Sequence, residues 1–207
     1  MSAVAGTPPH KGGFIAAVLA GGKGERLGLN KALLEIGGRT VLDRILECLE
    51  EIFPTILLVV QDDNSATFYE SHPNLKVVAD LLPGKGSLGG IYTALEHSPA
   101  PYVFVMACDM PYPNRELVLC LLSEAPGREA VVPRRGEYIE PLFAVYSRDT
   151  REKIRTRLEG NRLKIHDFLD ELDVRYLEED EISGCDPDFS SFFNINTPED
   201  LRNAPHV

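Results

Sequence analysis

Short apolar runs alternating with helical patterns predict an α/β domain with a mostly parallel sheet. Two features carry that prediction. The runs Phe14-Ile-Ala-Ala-Val-Leu19, Thr55-Ile-Leu-Leu-Val-Val60 and Tyr102-Val-Phe-Val-Met-Ala107 are continuously apolar, as expected of parallel strands covered on both faces. Glycine-rich segments follow the first of these runs and open the helix before the third, and open α/β sheets bind ligands in such loops at strand ends.

The elements follow in order. After the first strand and its loop, Val41, Leu42, Ile45, Leu46 and Leu49 recur at helical spacing. Thr40 suits the N-cap and Asp43 the first turn, and Pro54 ends the helix. A second strand covers 55–60 and a short third covers 76–79. Residues 87–96 read as a helix opened by glycines, 102–107 as a fourth strand, and Asn114 as the cap of a helix running to Leu122. Beyond Pro133, residues 134–137 read as a turn and 139–146 as a strand that pairs locally. Helical stretches are expected near 150–158 and 163–172, a late strand at 174–177, and a solvated acidic loop at 178–181. Phe192-Phe-Asn-Ile195 returns to the core, and Pro198 starts a last helix at N1. The division expected is a disordered tail over 1–13 and a single domain over 14–207, with a nucleotide-binding part (14–133) and an acceptor-side part (134–207).

Composition narrows the function. With 32 acidic and 21 Lys or Arg residues the net charge is −11, which disfavours a general nucleic-acid or anionic-membrane binder. Four scattered cysteines with no C-x-x-C pair suggest neither a zinc site nor a disulfide framework, and fit reduced thiols in a cytoplasm. No run approaches a membrane span, and the apolar stretch at 14–20 is too short and too soon followed by charge for a signal peptide.

The most informative segment is Leu19-Ala-Gly-Gly-Lys-Gly-Glu-Arg-Leu-Gly-Leu-Asn-Lys31. Its glycines, Gly21 and Gly22 foremost, let backbone N–H groups approach phosphate oxygens, while Arg26 and Lys31 add fixed charge. It is neither a Walker A loop, since Leu29 follows Gly28, nor a dinucleotide fingerprint, since Leu27 stands at the third glycine. A glycine turn with solvated charges is the plainer alternative. Asp109, just past the fourth strand, is positioned to hold Mg²⁺ against phosphate oxygens, or else is a turn aspartate ahead of Pro111. Asp80, ending the third strand, suits guanine's N1–H and amine, a ribose contact, or plain turn chemistry. Pro83-Gly-Lys-Gly-Ser-Leu-Gly-Gly90 opens a helix whose N-terminus favours anions, and Lys85 adds to that field.

Together these residues resemble the molybdenum cofactor guanylyltransferase family within the Rossmann-like nucleotidyltransferases. The anchors are Leu19-Ala-Gly-Gly with Arg26-Leu-Gly and Asn30-Lys31, Gly86-Ser-Leu-Gly-Gly-Ile91, Cys108-Asp-Met-Pro111, Glu140-Pro-Leu-Phe143 and Phe193-Asn-Ile-Asn-Thr-Pro-Glu-Asp200. Leu27 and Ser87 depart from it, standing where methionine and proline are frequent. The resemblance implies a three-layer fold with helices on both faces of the sheet. It also implies Mg²⁺-dependent transfer of GMP from GTP to the terminal phosphate of molybdopterin. It puts Leu19, Ala20, Gly21, Gly22, Lys31, Gln61, Asp80 and Asp109 on GTP, with Asp62 a neighbouring candidate, and Asp109 also on the metal. Asn194 and Asn196 are expected near the acceptor or the metal, and Arg26, Lys31 and Asp109 as the catalytic set. Other cofactor-biosynthesis proteins or recipient enzymes are expected as transient partners. Rival readings are a cytidylyltransferase on the same cofactor, a sugar-phosphate nucleotidyltransferase, and a regulatory module that binds GTP without turnover. Arg134-Arg-Gly-Glu-Tyr138, Arg162 and Lys164 are candidates for the pterin side, although a solvated hairpin and helix face explain them more simply.

Overall fold

The computed structural model describes residues 13–20, 31–61 and 72–204. Its strands are β1 (Phe14–Leu19), β2 (Glu35–Ile36), β3 (Arg39–Thr40), β4 (Ile56–Val60), β5 (Leu75–Ala79), β6 (Tyr102–Ala107), β7 (Ala130–Arg135), β8 (Tyr138–Ile139), β9 (Phe143–Ser147) and β10 (Val174–Leu177). Its helices are α1 (Val41–Glu50), α2 (Gly86–His97), α3 (Arg115–Glu124), α4 (Arg151–Glu159), α5 (Ile165–Leu169), α6 (Glu179–Cys185) and α7 (Pro198–Asn203).

The main sheet runs β10-β7-β9-β6-β1-β4-β5, with β8 paired to the end of β7. Strands β1, β4, β5 and β6 are mutually parallel, and β9 runs antiparallel between β6 and β7. Along β1, successive side chains feed two cores. Phe14, Ala16 and Val18 pack with α1 and α3, whereas Ile15, Ala17 and Leu19 pack with α2 and α4. Both faces of the strand are therefore buried, which is why its sequence does not alternate. The apolar stripe of α1 (Val41, Leu42, Ile45, Leu46, Leu49) lies wholly on the first core. Thr40 and Asp43 close a reciprocal capping box at its start, satisfying two otherwise unpaired backbone N–H groups. Asn114 caps α3 through the N–H groups of Glu116 and Leu117, and Thr197 caps α7 with Pro198 at N1. Among the described residues, no helix is long and apolar enough to cross a membrane.

The second half departs from its expected elements. Residues 130–135 form a strand that continues through the expected turn, and the reversal tightens to Gly136-Glu137. Gly136, at φ 58°, takes the left-handed conformation that a two-residue hairpin needs. The single strand expected over 139–146 is broken by Pro141 into β8 and β9, and β9 inserts into the main sheet beside β6. The acidic run is no loop. Glu178 and Glu181 form a capping box that starts α6, where carboxylates suit the helix dipole. Arg134 and Arg175 pair with these two carboxylates and hold each below the usual range.

The cysteine expectation is also corrected. Cys120 on α3 and Cys185 at the end of α6 are joined in a disulfide, while Cys48 and Cys108 are free. The two helices pack together, and a separation of 65 residues leaves no local spacing to read. Closing a loop of that length restricts the unfolded chain, so reduction or Cys120→Ser is expected to lower unfolding free energy by roughly 2–4 kcal/mol. A urea midpoint unchanged by reductant would contradict this, as would non-reducing peptide mapping that finds both thiols free.

Candidate active site

The site begins with strand order. From β1 the chain steps outward through β4 to β5, then returns to place β6 on the other side of β1. The carboxyl ends of β1 and β6 therefore mark the switch point of the sheet, the place where open α/β folds bind ligands in a crevice. Leu19 and Ala107 are register partners at that edge, and Cys108 donates its N–H to Leu19 O at 3.2 Å.

Lys31 begins a single 3-10 turn (Lys31–Leu33) whose Ala32 is buried in the core. Its Nζ donates to Asp109 Oδ2 at 2.9 Å and to Asn196 Oδ1 at 2.9 Å. Asn196 comes from far along the chain because Ile195 N–H donates to Asp109 O at 2.9 Å, docking 195–196 beside the end of β6. Asp200 fixes that segment by accepting from the N–H groups of Asn196 and Thr197, bonds that hold its carboxyl below the usual range. Three segments separated by up to 165 residues thus meet on one ammonium group. The Lys31 and Asp109 side chains retain 22% and 20% exposure, so the pair remains open to a ligand.

Among the described residues, no group of three or more His, Cys, Asp or Glu side chains is gathered to hold a metal. Mg²⁺ keeps several waters and is commonly bound through one or two carboxylates plus substrate phosphates, a demand that a single carboxylate could meet. Asp109 is the carboxylate suited to it: a cation already sits on its Oδ2, and its Oδ1 makes no hydrogen bond to a described residue. Burial pushes the neighbouring Cys108 thiol up to about 12, which keeps it protonated near neutral pH.

Asp80 sits beyond β5, three strands from β6, so it and Asp109 stand roughly 14 Å apart across the sheet edge. Its Oδ1 accepts from Leu82 N–H at 3.1 Å and from Thr93 Oγ1 at 2.8 Å. One oxygen thus serves turn chemistry, and Oδ2 is left for a ligand. The glycines opening α2 serve close packing. A Cβ on Gly90 would lie 3.2 Å from Leu19 Cδ1, and one on Gly89 would lie 2.9 Å from Lys85 Cβ. Lys85 does not join the expected cationic focus. Its Nζ donates to Asn161 Oδ1 at 3.0 Å and Leu158 O at 3.3 Å, tying the loop to the end of α4.

Leu19, Ala20, Lys31 and Asp109 therefore line the crevice at β1 and β6, and exposed Gln61 and part-buried Asp80 end β4 and β5. Asn196 reaches Lys31, whereas Asn194 Nδ2 turns back to Phe192 O at 3.0 Å. Gly21, Gly22, Arg26 and Asp62 lie outside the described residues, as do 1–12 of the expected tail. Glu140 was not singled out as a site residue. It lies within electrostatic reach of Asp109, and its carboxyl is pushed up by burial and hydrogen-bonds no described residue. Its position directly before Pro141 was the available signal, but its distance from Asp109 in sequence hid the proximity.

Residues 16–175 match the family model described as a MobA-like NTP transferase domain. A Methanosarcina acetivorans protein named "probable molybdenum cofactor guanylyltransferase" is 39% identical, the match covering 90% of this chain and 88% of that one. The molybdenum cofactor guanylyltransferase of Syntrophotalea carbinolica is 35% identical over 90% of this chain and 88% of its own. The solved structure of molybdopterin-guanine dinucleotide biosynthesis protein A from Archaeoglobus fulgidus superposes with a TM-score of 0.81 at 32% identity, covering 91% of this chain and 95% of that one. A match over most of the chain, together with a lysine and a carboxylate meeting at the switch point of the sheet, makes this protein a member of the MobA-like NTP transferase family, among its molybdenum cofactor guanylyltransferases.

Proposed function

We propose that this protein transfers GMP from GTP to the terminal phosphate of molybdopterin, forming the guanine dinucleotide cofactor and releasing pyrophosphate. The observation that carries this reading is the convergence of Lys31, Asp109 and Asn196 at the crevice between β1 and β6. GTP would lie across the ends of β1, β4 and β5. Asp80 Oδ2 would accept from guanine at one end, and the phosphates would reach Lys31 at the other. The glycines after Leu19 and the Arg26 guanidinium belong to the same phosphate cradle in this reading.

An acceptor phosphate oxygen attacks the α-phosphorus in line. The new P–O bond forms as the bond from the α-phosphorus to the bridging oxygen breaks, and both electrons of that bond leave with pyrophosphate. The nucleophile needs no protein base, since a phosphate monoester carries about −1.5 to −2 charge near pH 7. Catalysis then rests on positioning and on charge stabilisation. Asp109 would hold Mg²⁺, which would supply charge neutralisation on the departing pyrophosphate. Lys31 donates to phosphate oxygen once the nucleotide competes with Asp109 for its ammonium, and Asn196 keeps that side chain aimed at the crevice.

Lys31→Ala and Asp109→Ala are expected to remain folded and to lose on the order of 2.7–4 kcal/mol of transition-state stabilisation, about 10²–10³ in kcat. Near-normal turnover in either variant removes its assigned role. The assignment of substrates is tested by pyrophosphate release with molybdopterin and each NTP in turn. Release with GTP alone is expected. Release with CTP instead would make the protein a cytidylyltransferase, and GTP binding without release under any acceptor would make it a nucleotide-binding module.

A further inference from the structure

The two adjacent arginines that end β7 take opposite directions. Arg134 is spent structurally, forked onto the Glu178 carboxylate with its guanidinium 4.4 Å from the Tyr176 ring. Arg135, facing the other side of the strand, lies 4.1 Å from the Phe189 ring and 5.9 Å from that of Phe192. It makes no hydrogen bond or ion pair with any described residue, and its Nε is buried without a partner. Such a guanidinium presents one flat face to an aromatic ring and keeps its donors for something else. The remaining basic residues suggested for this side are absorbed elsewhere: Arg162 lies 3.4 Å from Glu171, and Lys164 is exposed at the start of α5.

The ring under Arg135 is held there at a cost. Phe189 has φ 52°, the left-handed region a bulky side chain avoids. A buried carboxylate enforces the turn: Asp186 is 1% exposed and accepts from Ser190 N, Ser190 Oγ and Ser191 N at 2.9–3.1 Å. Strain that is over-determined in this way marks functional positions more often than incidental ones. Arg135, Phe189, Phe192, Phe193 and Tyr112 line a cleft of about 1180 Å³. That cleft begins at Pro111, two residues beyond Asp109 in the chain. Tyr112 is three residues beyond Asp109, and the pairing of Ile195 with Asp109 brings Phe192 and Phe193 to the same edge. Glu140 lies within electrostatic reach of both Arg135 and Asp109.

We infer that this cleft takes the flat bicyclic end of the phosphorylated acceptor, its ring against the aromatic wall and Arg135 donating to its carbonyl oxygen and ring nitrogen. The inference rests on the transfer reaction proposed above, and sheet order supplies the direction. The nucleotide's base belongs to β5 on one side of Asp109, whereas Arg135 ends β7 on the other side. The base and the acceptor ring then lie on opposite flanks of Asp109, which leaves the space between them for the two phosphate groups to meet. The Phe189 ring and the Arg135 guanidinium suit a planar heterocycle, which can stack on the one and accept hydrogen bonds from the other.

The test is steady-state kinetics with GTP and molybdopterin, comparing the wild type with Arg135→Met and Arg135→Lys, and with GTP affinity measured separately by calorimetry. Arg135→Met is expected to raise KM for molybdopterin about tenfold, leaving GTP affinity within about twofold. Arg135→Lys, which keeps the charge but loses the flat fork, is expected to recover only part of that loss. Should Arg135→Met fail to fold, a smaller but clear rise in KM for molybdopterin, with GTP affinity retained, is required of Arg135→Lys. An unchanged KM for molybdopterin in a folded variant overturns the cleft assignment and leaves the guanylyl transfer standing. A wild type that binds GTP but never uses molybdopterin overturns both.

Discussion

The parallel pairing of β1 with β6 is the constraint on which the rest of the molecule depends. It brings Leu19 level with Ala107, so the chain segments beyond them start from adjacent points and must part. Everything chemical is hung from that edge. The Lys31 ammonium spans the gap to Asp109, and a backbone hydrogen bond from Ile195 to Asp109 O draws the last part of the chain onto it. Because the sheet is buried on both faces, the strand ends that carry these groups cannot shift without disturbing two cores. The site is therefore positioned by close packing rather than by the loops' own preferences.

An acidic protein that handles polyphosphate must concentrate its cations. Here the net charge is −11, yet many of its basic side chains are occupied structurally. Lys85 serves carbonyl and amide oxygens at the end of α4, and Lys153 serves Glu129. Arg157, 3% exposed, serves Glu171. Among the described residues these contacts tie basic side chains to the protein itself, whereas Lys31 stands at the crevice and Arg135 in the neighbouring cleft. Even Lys31 is kept on a carboxylate. A charge-assisted pair of this kind orients the ammonium in advance, so that little reorganisation is needed when phosphate arrives.

The second half of the chain extends the sheet and does not stand apart from it. Strand β9, inserted antiparallel beside β6, carries Glu140 and Pro141 to the rim next to Asp109, while β7 delivers Arg135 to the neighbouring cleft. The division of labour between Arg134 and Arg135 follows from the two-residue periodicity of a strand, which sends neighbours to opposite faces. The acidic segment after β10 shows the same economy of position. Its carboxylates cap α6, and two of them neutralise Arg134 and Arg175.

What the sequence determined by itself was whatever is encoded locally. The continuous apolarity of β1, β4 and β6 required a sheet covered on both faces. Thr40, Asn114 and Pro198 marked helix starts because capping is a contact among near neighbours. The glycines and carboxylates after the strands pointed to the carboxyl edge of the sheet, since their place at strand ends is itself a local fact. Tertiary structure alone decided the rest. Residues 134–137 read as a turn because Arg-Arg-Gly is polar, but pairing of Arg134 and Arg135 with β8, on a strand anchored by β10, carries β7 through them. Cys120 with Cys185, Lys85 with Asn161, and Arg135 with Phe189 are contacts between segments far apart in the chain. No spacing rule reaches across such separations: which distant groups meet is set by the order in which strands stack, and that order is a property of the folded sheet.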